Sequence, residues 1–190
     1  MEKIEDIAEL EARLLYSVVV AGKNAEFANS VLKRWLFEHT LYKQGETPFE
    51  AIRRIDAAKT LEWTFHDVRS GNYGKITAAA RGMANAGLNL RNCTPQDLEK
   101  IKGIGPKTSR FFIIWTRPGA KYAALDVHIL RWLGKQGYNA PKNTPQSSKR
   151  YAELEKAFLE EAENRGKTPR ELDSEIWDAG SRSINEVERP

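Results

Sequence analysis

Three segments of the sequence share a pattern that starts helices: a threonine, then a proline, then an acid two residues later. They are TPFE at 47–50, TPQD at 94–97 and TPRE at 168–171, and TPQS at 144–147 is a weaker fourth. The threonine caps the first helical amides, the proline needs no N–H there, and the acid completes a capping box. Strand signals are scarce, because the β-branched run 16–21 continues a helical apolar spacing. The sequence therefore predicts an all-α fold.

The apolar spacing between these starts predicts about ten helices in one globular domain. The chain has 190 residues, of which 41% are hydrophobic and 29% charged, so it can bury a core and is not disordered. The clearest loop is 139–148, and there is no internal repeat. The expected helices are roughly 2–20, 24–37, 48–55, 58–66, 73–86, 95–101, 106–117, 127–136, 147–165 and 169–184.

Charge is distributed unevenly along the chain. The formal net charge is +4, yet from residue 150 onward seven bases face eleven acids. The positive charge therefore belongs to the first four-fifths of the chain, which favours a one-sided positive surface.

Cysteine and apolar content narrow the class of protein further. The single Cys93 excludes an internal disulfide and any site that needs several cysteines, such as an iron–sulfur cluster. A reducing, intracellular location is the default expectation. The apolar run 14–22 is too short to span a membrane, and the acids before it exclude a signal peptide. We expect no membrane association.

A glycine hairpin near 95–117 is the strongest candidate for function. Gly103 and Gly105 bracket Ile104, and apolar residues on both sides predict two helices closing over that isoleucine. The turn would present backbone amides at a helix start, where the dipole favours a phosphate. Between residues 98 and 131 seven bases face two acids, which suits a polyanion such as DNA. A plain helix–turn–helix corner remains the alternative.

Two residues near the hairpin could perform chemistry. Lys107 follows the turn, and the helix start, neighbouring bases and partial burial all disfavour its charged form, so its amine could attack carbon. A solvated lysine that contacts phosphate is the alternative. Asp126 opens the helix VHILRWL as an N-cap, which by itself would justify an aspartate. The same position also suits a carboxylate that stabilises a developing cation.

The hairpin IKGIGPKTS and the LDVHILRWL segment, nineteen residues from lysine to aspartate, together resemble the helix–hairpin–helix DNA glycosylases of base-excision repair. That superfamily includes endonuclease III-like and 8-oxoguanine enzymes. The segments NYGKITAAARGMANAG and LLYSVVVAGKNAEFANSVLKRWL also resemble family helices, so the resemblance covers most of residues 10–135. It implies a two-lobed all-α fold, with lobes at 22–135 and at 1–21 plus 136–190.

The resemblance also implies roles for particular residues. Lys107 would be the nucleophile of a bifunctional glycosylase and AP lyase, and Asp126 the essential carboxylate. The turn at Lys23 and Asn24 matches the one that fills the gap left by the extruded base, although the family's usual glutamine or paired asparagines are absent. Trp177 is a further candidate for the base pocket. Contacts to the DNA backbone are implied for Gly103, Ile104, Gly105, Lys107, Thr108 and His128.

The resemblance sets the expected partners and cofactors. The C-terminal four-cysteine cluster of many endonuclease III-like members is absent, so we expect no iron–sulfur cluster and no cofactor beyond a structural monovalent cation at the hairpin. The partner would be double-stranded DNA containing a lesion, bound by a monomer in the cytoplasm, with the nucleoid, or in the nucleus. The tail ELDSEIWDAG resembles archaeal 8-oxoguanine glycosylases but does not identify the base.

The predicted function is a DNA glycosylase that extrudes a damaged nucleotide and uses Lys107 as an AP lyase. Three alternatives stay open. One is a monofunctional glycosylase that uses water, and another is a DNA-binding module without chemistry. The third is a helical protein–protein adaptor, which would account for the acidic tail but not for the basic hairpin.

Overall fold

The computed structural model describes residues 2–39 and 45–187, with backbone only for 180–187. In these residues it contains ten α-helices and no strands. The all-α class is therefore confirmed for the described part of the chain, and the particular glycosylase fold stays a prediction. The helices are α1 (Ile7–Val19), α2 (Ala25–His39), α3 (Pro48–Ala57), α4 (Leu61–Asp67), α5 (Tyr73–Asn85), α6 (Pro95–Glu99), α7 (Pro106–Thr116), α8 (Val127–Lys135), α9 (Ser148–Asn164) and α10 (Pro169–Val187).

The three threonine–proline–acid patterns start helices as predicted. In the segments 47–50, 94–97 and 168–171, the threonine hydroxyl accepts from the backbone N–H of the acid. The acid's carboxylate in turn accepts from the N–H of the threonine. These reciprocal bonds measure 2.8–3.3 Å and satisfy amides that a helix start leaves without partners. Local sequence is therefore enough to fix the starts of α3, α6 and α10.

The fourth pattern, at 144–147, does not start a helix at its threonine. The Thr144 hydroxyl donates to the carbonyl oxygen of Leu125 at 2.8 Å. Helix α9 is capped by Ser147, whose hydroxyl accepts from the N–H of Arg150 at 3.4 Å. The pattern lacks the acid that would close a capping box, and the serine takes over the cap.

Two helices begin later than the spacing predicts. Helix α1 was expected from residue 2, but Asp6 caps it, accepting from the N–H of Glu9 at 2.7 Å. Helix α4 was expected from residue 58, but Lys59 adopts a φ of 59° and α4 begins at Leu61. A positive φ is incompatible with a right-handed helix, so the chain turns there before α4 starts.

The chain divides into two compact units, and the boundary falls within α7. The N-terminal unit is Lys3–Phe112, and the C-terminal unit is Ile113–Pro190 together with Met1–Glu2. This division does not coincide with the predicted lobes at 22–135 and at 1–21 plus 136–190, which stay a prediction. Each unit is described by itself below.

The N-terminal unit packs α5 against α3 and α4, and α1 against α2, α3 and α5. The indole Nε1 of Trp35 donates to the Thr64 hydroxyl at 3.0 Å, which fixes α2 against α4. Trp35 also stacks on Phe65, with ring centroids 5.5 Å apart. The largest side chains in this core are Leu10, Leu14, Leu15, Trp35, Ile52, Leu61, Phe65, Ile76, Leu98 and Phe112.

The C-terminal unit packs α10 against α8 and α9. Tyr151 is fully buried, and its hydroxyl donates to the carbonyl oxygen of Ala123 at 2.8 Å while accepting from the N–H of Leu125 at 3.1 Å. These bonds hold the segment that leads into Asp126. The apolar core around it consists of Ala123, Leu125, Ile129, Leu130, Leu133, Leu154, Ala157, Phe158, Ala162, Leu172 and Ile176.

Candidate functional site

The predicted hairpin is present in the N-terminal unit, between α6 and α7. Gly103 adopts a φ of 98°, and the N–H of Ile104 donates to the carbonyl oxygen of Ile101 at 3.0 Å. Ile104 is buried, with 5% of its surface exposed. The apolar side chain therefore anchors the turn, and its glycine-rich backbone lies at the surface.

The two glycines of the hairpin differ in what they require. A Cβ at Gly103 would lie 3.1 Å from the Cβ of Ala79 and 3.6 Å from the carbonyl oxygen of Lys75, in a left-handed conformation that side chains rarely adopt. At Gly105 the φ is ordinary, and a Cβ would meet no atom within 4 Å. Glycine at 103 is therefore a requirement of the fold. At 105 it leaves an open face against which another molecule can approach the backbone.

The start of α7 lacks a side-chain cap from its own N-cap residue. Gly105 occupies the N-cap position, because its carbonyl oxygen accepts from the N–H of Ser109 at 3.0 Å. Pro106 has no N–H, and the amides of Lys107 and Thr108 belong to the first turn, where helices leave donors without intrahelical partners. No acid lies in this turn. The arrangement favours an external anion.

The charge near the hairpin is less positive than the sequence count suggests. Arg110 is buried, with 8% exposed, and its guanidinium binds the Glu99 carboxylate at 2.5 Å. Lys100 is bound by Asp97 at 3.0 Å. Both bases counted toward the predicted excess, and a carboxylate neutralises each of them. Lys107 is half-buried and makes no ion pair or hydrogen bond with any residue that the structure describes.

Lys23 and Asn24 have structural roles at the turn between α1 and α2. The Nζ of Lys23 donates to the carbonyl oxygen of Val19 at 3.1 Å, at the end of α1. The Oδ1 of Asn24 accepts from the N–H groups of Glu26 at 2.7 Å and Phe27 at 3.3 Å, which caps α2. Their role in filling the gap that an extruded base leaves in the duplex stays a prediction.

The pKa of Lys23 is lowered, which the sequence did not predict. Burial and, secondarily, the nearby charge of Lys75 lower the pKa of Lys23. The side chain also passes Gly71, where a Cβ would lie 3.8 Å from its Cε. Lys75 follows the start of α5, and its carbonyl oxygen faces Gly103. Lys75 is the lysine of the NYGK segment, and its presence was the only sign in the sequence of a charge that could affect Lys23. A single sequence does not show that Lys75 lies near Lys23 and the hairpin.

In the C-terminal unit, Asp126 is the N-cap of α8, as predicted. Its Oδ1 accepts from the N–H groups of His128 at 2.9 Å and Ile129 at 3.0 Å. Both bonds use the same oxygen, so Oδ2 has no hydrogen-bond partner among the described residues. The side chain is half-buried. The geometry holds a carboxylate in one orientation and keeps one oxygen available to a substrate.

His128 and Trp177 lie together in the same unit. Their ring centroids are 6.4 Å apart, with the planes inclined by 59°. Trp177 is 44% exposed, so it is not a core residue. A groove of about 280 Å³ runs between α8 and α10 beside them. Its lining contains two further bases, and consists of His128, Arg131, Trp132, Lys135, Glu175, Ile176 and Ala179.

Four other aromatic side chains, which could in principle stack on a base, divide between core and surface. Phe65 is buried in the core and Trp63 is 62% exposed. Trp132 is partly buried, with the Arg165 guanidinium 5.0 Å from its ring centroid. Trp115 is partly buried in the same way, with the Arg170 guanidinium 4.4 Å from the centroid of its ring. Only an exposed ring offers a face on which a base could stack, which leaves Trp63 and Trp177.

The comparisons with known proteins add no family. No protein-family model matches this chain, and no solved structure is significantly similar to it. Among the described residues, no helix combines the length and apolar character needed to cross a membrane. The expectations about cofactors, oligomeric state and the hairpin cation stay predictions.

Proposed function

We propose that this protein is a helix–hairpin–helix DNA glycosylase that removes a damaged or modified base and cleaves the resulting site as an AP lyase. One observation supports the proposal most directly. The α7 start combines an open glycine at Gly105, first-turn amides without a side-chain cap, and the amine of Lys107 without an ion-pair partner in the described chain. Backbone amides that would bind phosphate therefore lie next to the candidate nucleophile in the chain.

The first step of the proposal is binding of the DNA backbone without reading its bases. Phosphate oxygens would accept from the amides at Gly105, Lys107 and Thr108, with help from the positive end of the helix dipole. Exposed Lys102 adds positive charge in the same turn. Contacts of this type set the position of the enzyme on the duplex and leave recognition to the pocket that receives the extruded base.

The second step is chemical. The Lys107 amine would attack C1′ of the sugar as the bond between C1′ and the base breaks, and the departing base would take up the proton that the attacking nitrogen loses. The sugar ring then opens to an imine between Nζ and C1′. Loss of a C2′ proton would break the C3′–O bond and release the 3′ phosphate by β-elimination. The lysine is recovered when water hydrolyses the imine.

Asp126 would support both stages. The departing base leaves positive charge on the sugar, and a carboxylate held in place stabilises that charge without reorganising. Its Oδ1 is committed to the start of α8, whereas Oδ2 is available for the sugar. Because the cap uses only Oδ1, the capping role of Asp126 is compatible with a catalytic role for Oδ2.

The test is covalent trapping with borohydride, which reduces the imine to a permanent bond. Duplexes carrying 8-oxoguanine, uracil, oxidised pyrimidines or alkylated purines identify the cleaved base first. We expect the unaltered protein to cross-link to the duplex that it cleaves, and Lys107→Gln to give no cross-link. The variant still binds DNA, with a salt dependence smaller by about one charge if the lysine also neutralises a phosphate.

Lys102→Gln is the matched control, because it removes an exposed lysine from the same hairpin. It should keep the cross-link. If Lys107→Gln cross-links as well as the unaltered protein, the nucleophile is another amine, with Lys23 the first to examine. Base release without any cross-link identifies a monofunctional enzyme that uses water. Binding without base release on every duplex leaves a DNA-binding module and contradicts the proposed enzyme.

A further inference from the structure

A histidine and two carboxylates meet in the N-terminal unit, away from the hairpin in sequence. Glu38 and His39 are the last residues of α2, and Asp67 is the last residue of α4. One oxygen of each carboxylate and one imidazole nitrogen all lie within 4.8 Å of one another. Nitrogen and oxygen donors of these types suit a divalent transition-metal ion.

The imidazole nitrogen of this cluster is buried, and it forms no hydrogen bond with the described residues. His39 Nε2 is buried and has no hydrogen-bond partner among the residues that the structure describes. The nearest carboxylate oxygens are those of Asp67 at 3.7 Å and Glu38 at 3.9 Å. Both distances exceed that of an ordinary hydrogen bond. A buried polar atom that lacks a partner is costly, so an atom located between the three groups would lower the free energy.

The spacing matches a bridging ion better than direct contact. With metal–ligand bonds of about 2.0–2.2 Å, neighbouring ligand atoms in a tetrahedron lie roughly 3.3–3.6 Å apart. The two distances from His39 Nε2, 3.7 and 3.9 Å, exceed this range only slightly, and all three ligand atoms lie within 4.8 Å of one another. The side chains of Glu38 and Asp67 are 43% and 41% exposed, so small rotations can close the difference. Three protein ligands leave a fourth position for water.

The two helices hold the cluster in a fixed frame. The hydrogen bond from Trp35 to Thr64 joins α2 and α4 one turn before the ligands, and the Trp35 ring lies 6.0 Å from that of His39. The Nη2 of Arg54 also donates to the carbonyl oxygen of His39 at 3.1 Å. Ligands on packed helices keep their separation, which reduces the entropy lost when an ion binds.

The nearby arginines are bound to other groups. Arg54 forms an ion pair with Glu46 at 2.7 Å. Arg34 donates to the carbonyl oxygen of Val68 at 2.6 Å, next to Asp67 in the chain. Among the described residues, His39 is the only basic side chain that lies within ion-pair distance of the Asp67 and Glu38 carboxylates. The cluster therefore keeps a net negative charge when the imidazole is neutral.

We propose that Glu38, His39 and Asp67 bind one divalent transition-metal ion, with Zn²⁺ the best fit to one imidazole and two carboxylates. The ion ties the end of α2 to the end of α4. This binding is independent of the chemistry proposed for Lys107. Such binding stabilises the folded protein by an amount that grows with the logarithm of the metal concentration once this exceeds the dissociation constant.

The chain contains a matched pair that lacks the third ligand. His66 Nε2 lies 3.8 Å from Glu62 Oε1 on α4, a separation similar to those at His39. Both of those side chains are at least half exposed. Among the described residues, no second carboxylate joins them to form a group of three possible metal ligands. If one histidine near one acid were enough, both places would bind the ion equally.

The experiment is calorimetric titration of the untagged, chelator-treated protein with Zn²⁺ at pH 7.5, together with thermal unfolding with and without the ion. We expect one equivalent to bind and to raise Tm. His39→Gln and Asp67→Asn should each weaken binding roughly tenfold or more, because each removes a ligand. His66→Gln should leave the affinity unchanged. Co²⁺ provides a second readout, because its visible absorption reports ligand number even if Tm is insensitive.

Circular dichroism shows whether each variant is folded, and the exposed Asp67→Asn is the less disruptive of the two ligand changes. Absence of binding to the unaltered protein overturns the proposal and leaves a salt bridge from a protonated His39 to its two acids. A loss in His66→Gln equal to that in His39→Gln overturns it as well, since binding would then be nonspecific. Binding that survives both ligand substitutions places the ion elsewhere.

Discussion

The starts of α7 and α8 solve the same physical problem in opposite ways. Each helix begins with amides that no earlier carbonyl can satisfy. At α8, Asp126 supplies a carboxylate that accepts from two of them. At α7, Gly105 supplies no side chain, and the first turn contains no acid. One helix start is neutralised by its own chain, and the other is available to an anion from outside.

The remaining helices show that self-capping is the usual solution in this chain. Side chains also cap α1, α2, α3, α6, α9 and α10, whereas α4 and α5 start without a side-chain cap. An uncapped start is therefore not peculiar to α7, but a serine at position 105 would meet no neighbouring atom at its Cβ, so a capping side chain would fit there. Helix α8 does not need the charge of Asp126, because an uncharged asparagine or serine would cap it almost as well. The charge is therefore the property to test for a role in catalysis.

The largest expected effect follows from separating the cap of α8 from its charge. Asp126→Asn keeps a good N-cap, so the free energy of unfolding should change by less than about 1 kcal/mol. Base release should fall by about 10²–10³-fold, because the charge that stabilises the cationic sugar is lost. Single-turnover cleavage of the preferred lesion and chemical denaturation measure the two quantities.

Asp6→Asn is the control for Asp126→Asn. Asp6 caps α1 through its Oδ1 in the same way, accepting from the N–H of Glu9. That substitution changes an aspartate cap to asparagine without touching the proposed site, so base release should be unaffected. Full activity in folded Asp126→Asn would reduce the residue to a cap and remove the catalytic half of the comparison.

The next effect concerns the open start of α7. Gly105→Ala adds one methyl group where the structure has space for it, so the protein should fold normally. The methyl group would occupy the surface that a phosphate approaches, and the affinity for duplex DNA of any sequence should fall about tenfold. Fluorescence anisotropy with several unrelated duplexes measures this loss.

Substitutions at two other glycines, Gly134 and Gly103, are controls for Gly105→Ala. Gly134→Ala adds a methyl group to open space on α8 and should leave DNA affinity unchanged. Gly103→Ala should instead lower the free energy of unfolding by about 1–3 kcal/mol, because its φ of 98° strains any side chain. Normal DNA binding by Gly105→Ala would make the hairpin a structural corner and locate the binding surface elsewhere.

Local sequence predicted the helices well, because their starts depend on residues three or four positions apart. The segment 94–97 carries its entire capping box, and the hairpin glycines define a turn by themselves. Helix α1 starts five residues later than predicted, because Asp6 is its N-cap and the acidic residues before it lie outside the helix. The predicted helix boundary is wrong where a residue such as aspartate can serve either as a cap or as part of the helix.

Interactions between distant residues could not be predicted in the same way. Arg110 was counted as surface charge, but it is buried against Glu99, eleven positions earlier on another helix. The cluster at Glu38, His39 and Asp67 requires the packing of α2 on α4, and no spacing in the sequence signals it. Charge counts describe composition, whereas available charge depends on which partners folding brings together.

The smallest expected effect tests the self-capped helix that leads into the hairpin. The Thr94 hydroxyl and backbone N–H, with a weaker contribution from Lys100, lower the pKa of Asp97 to about 2. Because this value lies below that of an unfolded aspartate, near 3.9, the ionised carboxylate stabilises the fold above about pH 4. That stabilisation is lost as the pH falls from about 4 toward 2. Asp97→Asn should therefore remove part of the acid-induced fall in Tm, by about 1–2 °C. Parallel melts from pH 6 to pH 2 measure the difference, and identical curves for both proteins would show that the box at α6 contributes nothing to acid stability.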